Sequence, residues 1–265
     1  MINSLFWEFA TEDNPEYSTI YGTVHLGTPE CLKHWDRVAR CIELYPVVFT
    51  ESSLEMEDLK FLQPFTLLET GTSTTDYVTA NRWRRMRRIF LKYCRVDIDL
   101  LKMFRPLFIL TQIQSAMVQS DEQTALDFKI WQYALLMEKE VRGIETAQEQ
   151  VSILLSLDTY QQYLNLIRIS KNISATRKKL KKLLKAYEEE DIISLYRMSK
   201  STLGKDRSSL IRNRNEVMAK RLINFHNDQA SFFSFGAGHL TGGRGIIRLL
   251  KKHGAIVRPL KKVPT

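Results

Sequence analysis

Two histidines, His25 and His239, occupy matched local settings near opposite ends of the chain. Each follows a run of apolar, strand-forming residues, and each stands three positions after a glycine, in a Gly-x-x-His segment. The whole chain contains five histidines, so two in the same setting indicate a shared role. A histidine at the end of a buried strand, with glycine allowing another group to approach the backbone, can present a base or a ligand to a cleft.

A carboxylate occupies a comparable position, because Glu51 ends a third apolar run at residues 46–51. Open α/β sheets place their chemistry at the carboxyl ends of their strands. Two neutral imidazoles and one carboxylate are a sufficient set for a divalent metal with one open position, which lowers the pKa of a bound water. From the residues alone, a catalytic or metal-binding pair of histidines and a pair of hydrogen-bonded structural histidines both stay open.

Two further segments carry candidate residues. Arg214 and Asn215 open a predicted helix that leads into the C-terminal strands, and a guanidinium and an amide there could clamp a carboxylate or an oxyanion. Alternatively, Arg214 is a surface charge. Glu145 lies in residues 143–150, which either supply a second carboxylate or form only a helix-capping turn. The glycine-rich run at 236–243 lacks the spacing of a dinucleotide-binding or phosphate-binding loop.

The elements that must position these residues are predicted at the two ends of the chain. Residues 4–25 predict a β-hairpin, and a helix over 29–44 follows, with Thr28 as its N-cap. The C-terminal end has a strand over 230–236, a helix over 244–253 and a last strand over 255–259. Continuous apolar strands in β–α–β order predict a sheet with a parallel portion.

Between these ends, residues 54–224 have an overwhelmingly helical pattern. We therefore predict an α/β fold with a central mixed β-sheet, built from the N-terminal segment 1–53 and the C-terminal segment 225–265. Residues 54–224 would form a large helical insertion. A length of 265 residues, of which 44% are hydrophobic, suffices for one large core, so we expect a single domain over 1–265.

The formal net charge of +9 is concentrated in two clusters, Arg82–Arg88 and Arg177–Lys185. Such clusters can bind phosphates or anionic lipid. However, the apolar residues within them recur at helical spacing, which favours a solvated helix face over nucleic-acid binding.

The first residues lack the basic start and the apolar region of a signal peptide, and no run approaches the about 18 apolar residues of a membrane helix. The three cysteines are an odd number without metal-binding spacing, which is typical of buried thiols in a cytosolic protein. We therefore expect a cytoplasmic protein with no transmembrane segment. The oligomeric state is not predicted.

Taken together, five segments in sequence order resemble the TraB/GumN family, whose eukaryotic relatives are the Tiki metalloproteases. They are the run Gly22–Gly27, the strand ending in Glu51, the Gly-Ile-Glu-Thr-x-x-x-Gln run at 143–150, the Arg-Asn-x-x-Met-Ala run at 214–219, and the run Gly236–Leu240. Gly242 and a helix–glycine–strand ending follow the last segment.

This resemblance implies a fold similar to that of the erythromycin-esterase and ChaN superfamily, with a mixed sheet built from two related halves that each contribute one Gly-x-x-His. It also implies a metal-dependent hydrolase that acts on a peptide or a small molecule, most simply a peptidase. Manganese and cobalt are the metals associated with Tiki proteins, and zinc is a further candidate.

The resemblance also suggests roles for individual residues. His25, Glu51 and His239 would hold the metal or act directly on water, and Glu51 could be the general base rather than a ligand. Glu145 would be a second carboxylate, and Arg214, with Asn215 beside it, would stabilise an anionic tetrahedral intermediate. Two alternatives stay open: a metal-independent, esterase-like hydrolase with one histidine as base, and a non-catalytic protein that binds haem, metal or nucleic acid.

Overall fold

The structure, a computed structural model, describes residues 3–118, 125–203 and 208–261. The strands in these ranges are β1 (Phe6–Ala10), β2 (Ser18–Thr23), β3 (Val47–Ser52), β4 (Glu140–Glu145), β5 (Phe232–Gly236) and β6 (Ile256–Pro259). The α-helices are α1 (Pro29–Leu32), α2 (Trp35–Leu44), α3 (Met56–Leu62), α4 (Ala80–Cys94), α5 (Pro106–Val118), α6 (Leu126–Leu136), α7 (Ala147–Ser156), α8 (Thr159–Lys171), α9 (Ile173–Glu188), α10 (Ile192–Leu203), α11 (Arg214–Asp228) and α12 (Ile246–Lys252). A π-helix over Ser208–Asn213 leads directly into α11.

The strands form one mixed sheet in the order β4-β3-β5-β2-β1-β6, so the predicted α/β fold with a central mixed sheet is confirmed. The strands β4, β3, β5 and β2 run parallel to one another, whereas β1 is antiparallel to both β2 and β6. All six residues of β2 are buried, as expected for a parallel strand covered on both faces. The carboxyl ends of four adjacent strands therefore meet along one edge of the sheet.

The predicted hairpin and C-terminal β–α–β unit are present, with small shifts at their ends. The single helix predicted over 29–44 is wrong, because the chain forms α1 and α2 with a break between them. At the break, the ring of His34 packs edge-on against Phe6 and Tyr187. Thr28 has the extended backbone of an N-cap, but its hydroxyl contacts Cys31 Sγ at 3.2 Å and makes no capping bond.

The segment 54–224 is not helical throughout, because it contains β4. This strand pairs in parallel with β3 through residues such as Val141 and Gly143, so the sheet also receives a strand from the predicted insertion. Charged Glu140 and Arg142 are exposed on β4, which lies at an edge of the sheet, where charged side chains protect unpaired strands. The prediction that only the N- and C-terminal segments build the sheet is therefore corrected.

The helices of this segment have a hydrophobic core of their own, separate from the core around the sheet. It is formed mainly by α4, α5, α8 and α9, with buried residues that include Trp83, Met86, Phe90, Ile109, Ile113, Tyr163 and Leu166. The expectation of a single domain over residues 1–265 stays a prediction.

Both basic clusters lie on the outer faces of helices. On α4, Arg82, Arg84, Arg85 and Arg88 are exposed while the apolar residues between them are buried. On α9, the five lysines of the cluster are exposed. This arrangement agrees with the solvated-face interpretation.

The three cysteines are buried and unpaired with one another. In the part of the chain that the structure describes, no helix combines the length and the apolar character needed to cross a membrane. The cytoplasmic location stays a prediction.

Candidate active site

The predicted site residues lie side by side along the edge where the parallel strands end. Glu145 ends β4, Glu51 lies at the end of β3, His239 closes the short 3₁₀ turn after β5, and His25 follows β2. Since these strands are adjacent in the sheet, the fold brings together four residues that the sequence separates widely.

Three of these side chains converge at Gly236. From the position that a Cβ would occupy on this glycine, Glu51 Oε2 lies 3.4 Å, His239 Cδ2 3.6 Å and His25 Nε2 3.8 Å away. The two imidazoles are therefore close neighbours that face the same carboxylate.

Glycine in the first Gly-x-x-His segment makes this approach possible. A Cβ on Gly22 would come within 2.5 Å of Leu240 Cδ1 and within 3.1 Å of the backbone of Ala237. A Cβ there would force Leu240 to move and would fit tightly against Ala237, so glycine at this position allows the turn that carries His239 to pack directly on β2.

Arg214, the first residue of α11, lies between the two carboxylates. Its Nε donates to Glu145 Oε1 at 2.8 Å and its Nη2 to Glu145 Oε2 at 2.6 Å, while Nη2 also contacts Glu51 Oε1. The guanidinium thus clamps two carboxylates of the protein itself, in the bidentate geometry that suits arginine. Its proposed action on an anionic intermediate stays a prediction.

The two carboxylates experience different environments. Burial acts to raise the pKa of Glu51, but Arg214 and the two histidines outweigh it and hold this pKa well below its usual range. The backbone N–H of Gly236 also donates to Glu51 Oε2 at 2.8 Å. Burial raises the pKa of Glu145 despite Arg214, and the amide of Gln150 donates to its Oε2.

His239 is buried and held by Asn215. The amide nitrogen of Asn215 donates to the carbonyl oxygens of His239, at 3.3 Å, and Arg244, at 2.6 Å, so its oxygen accepts from His239 Nδ1 at 2.5 Å. Nδ1 therefore carries the proton and the lone pair is on Nε2, which lies 3.9 Å from Glu51 Oε1. Burial lowers the pKa of His239 to about 4, so the ring is neutral at pH 7.

The suggested role of Asn215 in clamping an anion stays a prediction. Its side chain is fully buried, does not line the cavity at the site, and is used in orienting His239.

Asp127, near the start of α6, is a site residue that sequence reasoning missed. Its Oδ2 lies 2.8 Å from His25 Nδ1, and its Oδ1 accepts from the hydroxyl of Thr23 at 2.5 Å. The carboxylate raises the pKa of His25 to about 9, although 68% of the His25 side chain is exposed and water weakens the pair. A lone aspartate at a helix start gives no local signal for such a contact, 102 residues away in sequence.

A cavity of about 630 Å³ opens above these residues, within the size range of small-molecule sites. The polar groups at the strand ends form its floor. Its walls come largely from the helical segment and are mainly apolar, with Leu54, Leu107, Phe128, Ile153, Leu154, Leu157, Leu183, Leu195 and Ile211.

No group of three or more His, Cys, Asp or Glu side chains among the described residues is arranged to hold a metal ion. The chemistry of the donors nevertheless fits one. Asp127 and Asn215 engage the Nδ1 atoms of the two histidines, as the partners of ligating histidines do, which turns each Nε2 toward the shared point. Both oxygens of Glu51 already accept hydrogen bonds, so it would have to share its carboxylate between Arg214 and the ion.

Comparisons with known proteins found a matching family model and two similar proteins. A family model described as the TraB/PrgY/gumN family matches residues 5–259. The chain is 23% identical over 320 aligned residues to "Metalloprotease TIKI1" of Danio rerio, covering 96% of this chain and 62% of that protein. It is 43% identical over 65 residues to "Metalloprotease TIKI homolog" of Nematostella vectensis, covering 22% of this chain and 14% of that protein.

The chain thus spans less than two thirds of the length of either relative. No solved structure matches it significantly.

Proposed function

Because the chain belongs to the TraB/PrgY/gumN family, we propose that it is a hydrolase of the peptidase type that activates water at its His25–Glu51–His239 site. The observation that carries the proposal is the convergence of two imidazoles and a carboxylate at Gly236, on the floor of a cavity. The names of the two relatives, both metalloproteases, support the choice of a peptide bond as the substrate.

Each residue would have a distinct role in hydrolysis. His239 is neutral at pH 7 and directs the lone pair of Nε2 toward Glu51, so it can accept a proton or bind a cation. Glu51 is ionised and buried, which suits the same tasks. Arg214 donates hydrogen bonds to both Glu51 and Glu145, and its guanidinium lines the cavity, where it would favour an anionic intermediate.

A divalent metal such as manganese, cobalt or zinc, held by His25, His239 and Glu51, would lower the pKa of a bound water. His25 must then be neutral, so the metal has to displace a proton that Asp127 favours on this ring. Metal binding should therefore release protons and weaken as the pH falls.

A metal-independent hydrolase is a second candidate, favoured by the different partners of the two histidines. A carboxylate faces Nδ1 of His25, whereas a neutral amide faces Nδ1 of His239. Asp127 thus favours the charged form of His25, which can donate a proton, while His239 can accept one. Opposite environments for two titratable groups are typical of an acid–base pair.

Digestion of a peptide library tests the proposal. The wild-type protein would be compared with His25→Ala and His239→Ala, after dialysis against a chelator and then with Mn²⁺, Co²⁺ or Zn²⁺ added. The control is His253→Ala, because His253 is exposed at the end of α12 and does not line the cavity.

We expect the wild type and the control to cleave and both site variants to lose at least about 100-fold in rate, within the range for a lost catalytic group. Activity that needs added metal selects the metal-dependent form, and activity that survives the chelator selects the acid–base form. Equal cleavage by all four proteins, or none under any condition, would contradict the proposal.

A further inference from the structure

The cavity above the strand ends has a sharply divided lining. Among the described residues that line it, the acidic and basic side chains lie at the floor: His25, Glu51, Asp127, Arg214 and His239. They are engaged with one another or with Glu145 and Asn215. The charged side chains at the floor therefore already have hydrogen-bond or ion-pair partners within the protein.

The walls contrast with this floor. Ile153 and Leu154 of α7, Leu183 of α9 and Leu195 of α10 face the cavity, and Phe128 of α6 stands partly exposed at its side. A charged group of a substrate would lose its hydration against these walls without gaining a partner. An apolar group would instead remove apolar surface from water, which stabilises a complex by about 25 cal/mol per Å².

We propose that this cavity selects substrates with an uncharged, apolar segment next to the bond that is cleaved. The inference rests on the proposed function, because it deepens the description of the same site. Either an apolar side chain of a peptide or the acyl chain of an ester has the required chemistry. Leu154 and its neighbours on the walls are then residues that determine specificity.

The helix α7 offers a matched pair of variants. Leu154 lines the cavity and is partly exposed, whereas Leu155 is half exposed and does not line it. Both residues lie on the same helix, so Leu154→Asp and Leu155→Asp introduce the same charge at adjacent positions. Neither side chain is fully buried, so both variants are expected to fold, which circular dichroism would check.

Binding is measured first, so that the result does not depend on turnover. The probe is Nile red, an uncharged apolar dye whose fluorescence rises in apolar surroundings. The competitors are end-blocked peptides that carry Leu, Phe, Asp or Lys at one variable position, and p-nitrophenyl octanoate. His239→Ala is measured in parallel, because it should bind these ligands without cleaving them.

We expect the wild type to bind the dye, and the Leu and Phe peptides to displace it at concentrations at least about tenfold lower than the Asp and Lys peptides, a ratio within reach of an apolar pocket. Leu154→Asp should weaken binding of the Leu peptide at least about tenfold, and Leu155→Asp should leave it within about twofold. Displacement by the octanoate alone would assign the segment to an acyl chain rather than a side chain.

Equal displacement by Leu, Asp and Lys peptides, or equal effects of the two α7 variants, would overturn the inference. The proposed function can fail separately: selective binding with no cleavage would reject the hydrolase and leave the apolar selectivity standing. Cleavage with no preference for apolar residues would support the hydrolase and reject the apolar selectivity.

Discussion

Arg214 is the residue whose loss should have the largest effect on the stability of the site. It is the shared cation of two carboxylates, and the side chains of Arg214, Glu51 and Glu145 are only 13%, 13% and 4% exposed. We consider the substitution Arg214→Met, which keeps much of the apolar stem but removes the charge and the donated hydrogen bonds. It leaves two buried carboxylates close together with no guanidinium between them.

Breaking a buried ion pair by removing one partner costs about 3–5 kcal/mol, because an uncompensated charge stays buried. We therefore expect Arg214→Met to lower the free energy of unfolding at pH 7.5 by about 3–5 kcal/mol. The control is Arg142→Met on β4. Arg142 pairs with Glu140 on the surface, where both side chains are about half exposed, so its loss should cost no more than about 1 kcal/mol.

The pH dependence gives a second, independent readout. In the wild type the folded-state pKa of Glu51 lies below its ordinary value of 4.5, so its stabilising effect is present above pH 4.5 and is lost as the pH falls. Without Arg214, burial and mutual repulsion should raise both folded-state pKa values above 4.5. The folded variant then binds protons more tightly than the unfolded chain, and acidification from pH 7.5 to 5 should restore part of its stability.

Urea unfolding, followed by circular dichroism at pH 7.5 and pH 5, measures both effects. The deficit of Arg214→Met relative to the wild type should be largest at pH 7.5 and smaller at pH 5, while that of Arg142→Met should change little. A deficit below about 1 kcal/mol, or one that grows on acidification, would refute the assignment of Arg214 as the compensating cation.

Three further predictions concern the histidines. Asp127→Asn should lower the pKa of His25 from about 9 to its ordinary value of 6.5 or below, because the negative charge that favours the imidazolium is gone; NMR titration measures this, and an unchanged pKa would contradict it. Asn215→Ala should reduce kcat about 10–100-fold, the range for groups that orient a ligating or catalytic histidine, with little change in KM. It should also alter the ¹⁵N shifts that report the tautomer of His239; unchanged shifts would argue against the positioning role. Buried His226 contacts Ser18 Oγ at 2.7 Å and Asn14 O at 3.1 Å through its two ring nitrogens, and burial lowers its pKa below 6.5. As the pH falls, the unfolded chain is therefore protonated at His226 before the folded chain is. The stabilisation by neutral His226 is thus present above pH 6.5 and decreases below it. Thermal unfolding between pH 7.5 and 5 should show a shallower decline for His226→Gln than for the wild type and for the exposed control His253→Gln; parallel curves would contradict this.

The strand ends could be predicted from the sequence because a parallel sheet imposes them. Apolar runs before His25, Glu51 and His239 show where buried strands end, and β–α–β connections place those ends on one edge. The pairing of Arg214 with both Glu51 and Glu145 could not be predicted from the sequence, because it depends on how α11 packs against the end of the sheet.

The strand β4 could not be recognised because its local pattern is weak. Its six residues contain exposed Glu140 and Arg142 and the helix-unfavourable Gly143, between two helices. The glycine is required by a long-range contact, since a Cβ there would lie 2.5 Å from the backbone nitrogen of Ser53. Asp127 was missed for the same reason: only the folded chain shows what lies opposite it.

The position of β5 in the sheet has a consequence for how the protein is made. This strand separates β3 from β2, and Gly236 at its end lies 185 residues after Glu51, whose side chain it binds. During synthesis the pairs β4-β3 and β2-β1 can form early, but they stay unjoined until β5 leaves the ribosome and enters the gap. A ribosome-bound intermediate stalled before Phe232 would accordingly hold His25 and Glu51 on separate sheet fragments, so the candidate site should form only after β5 has been synthesised.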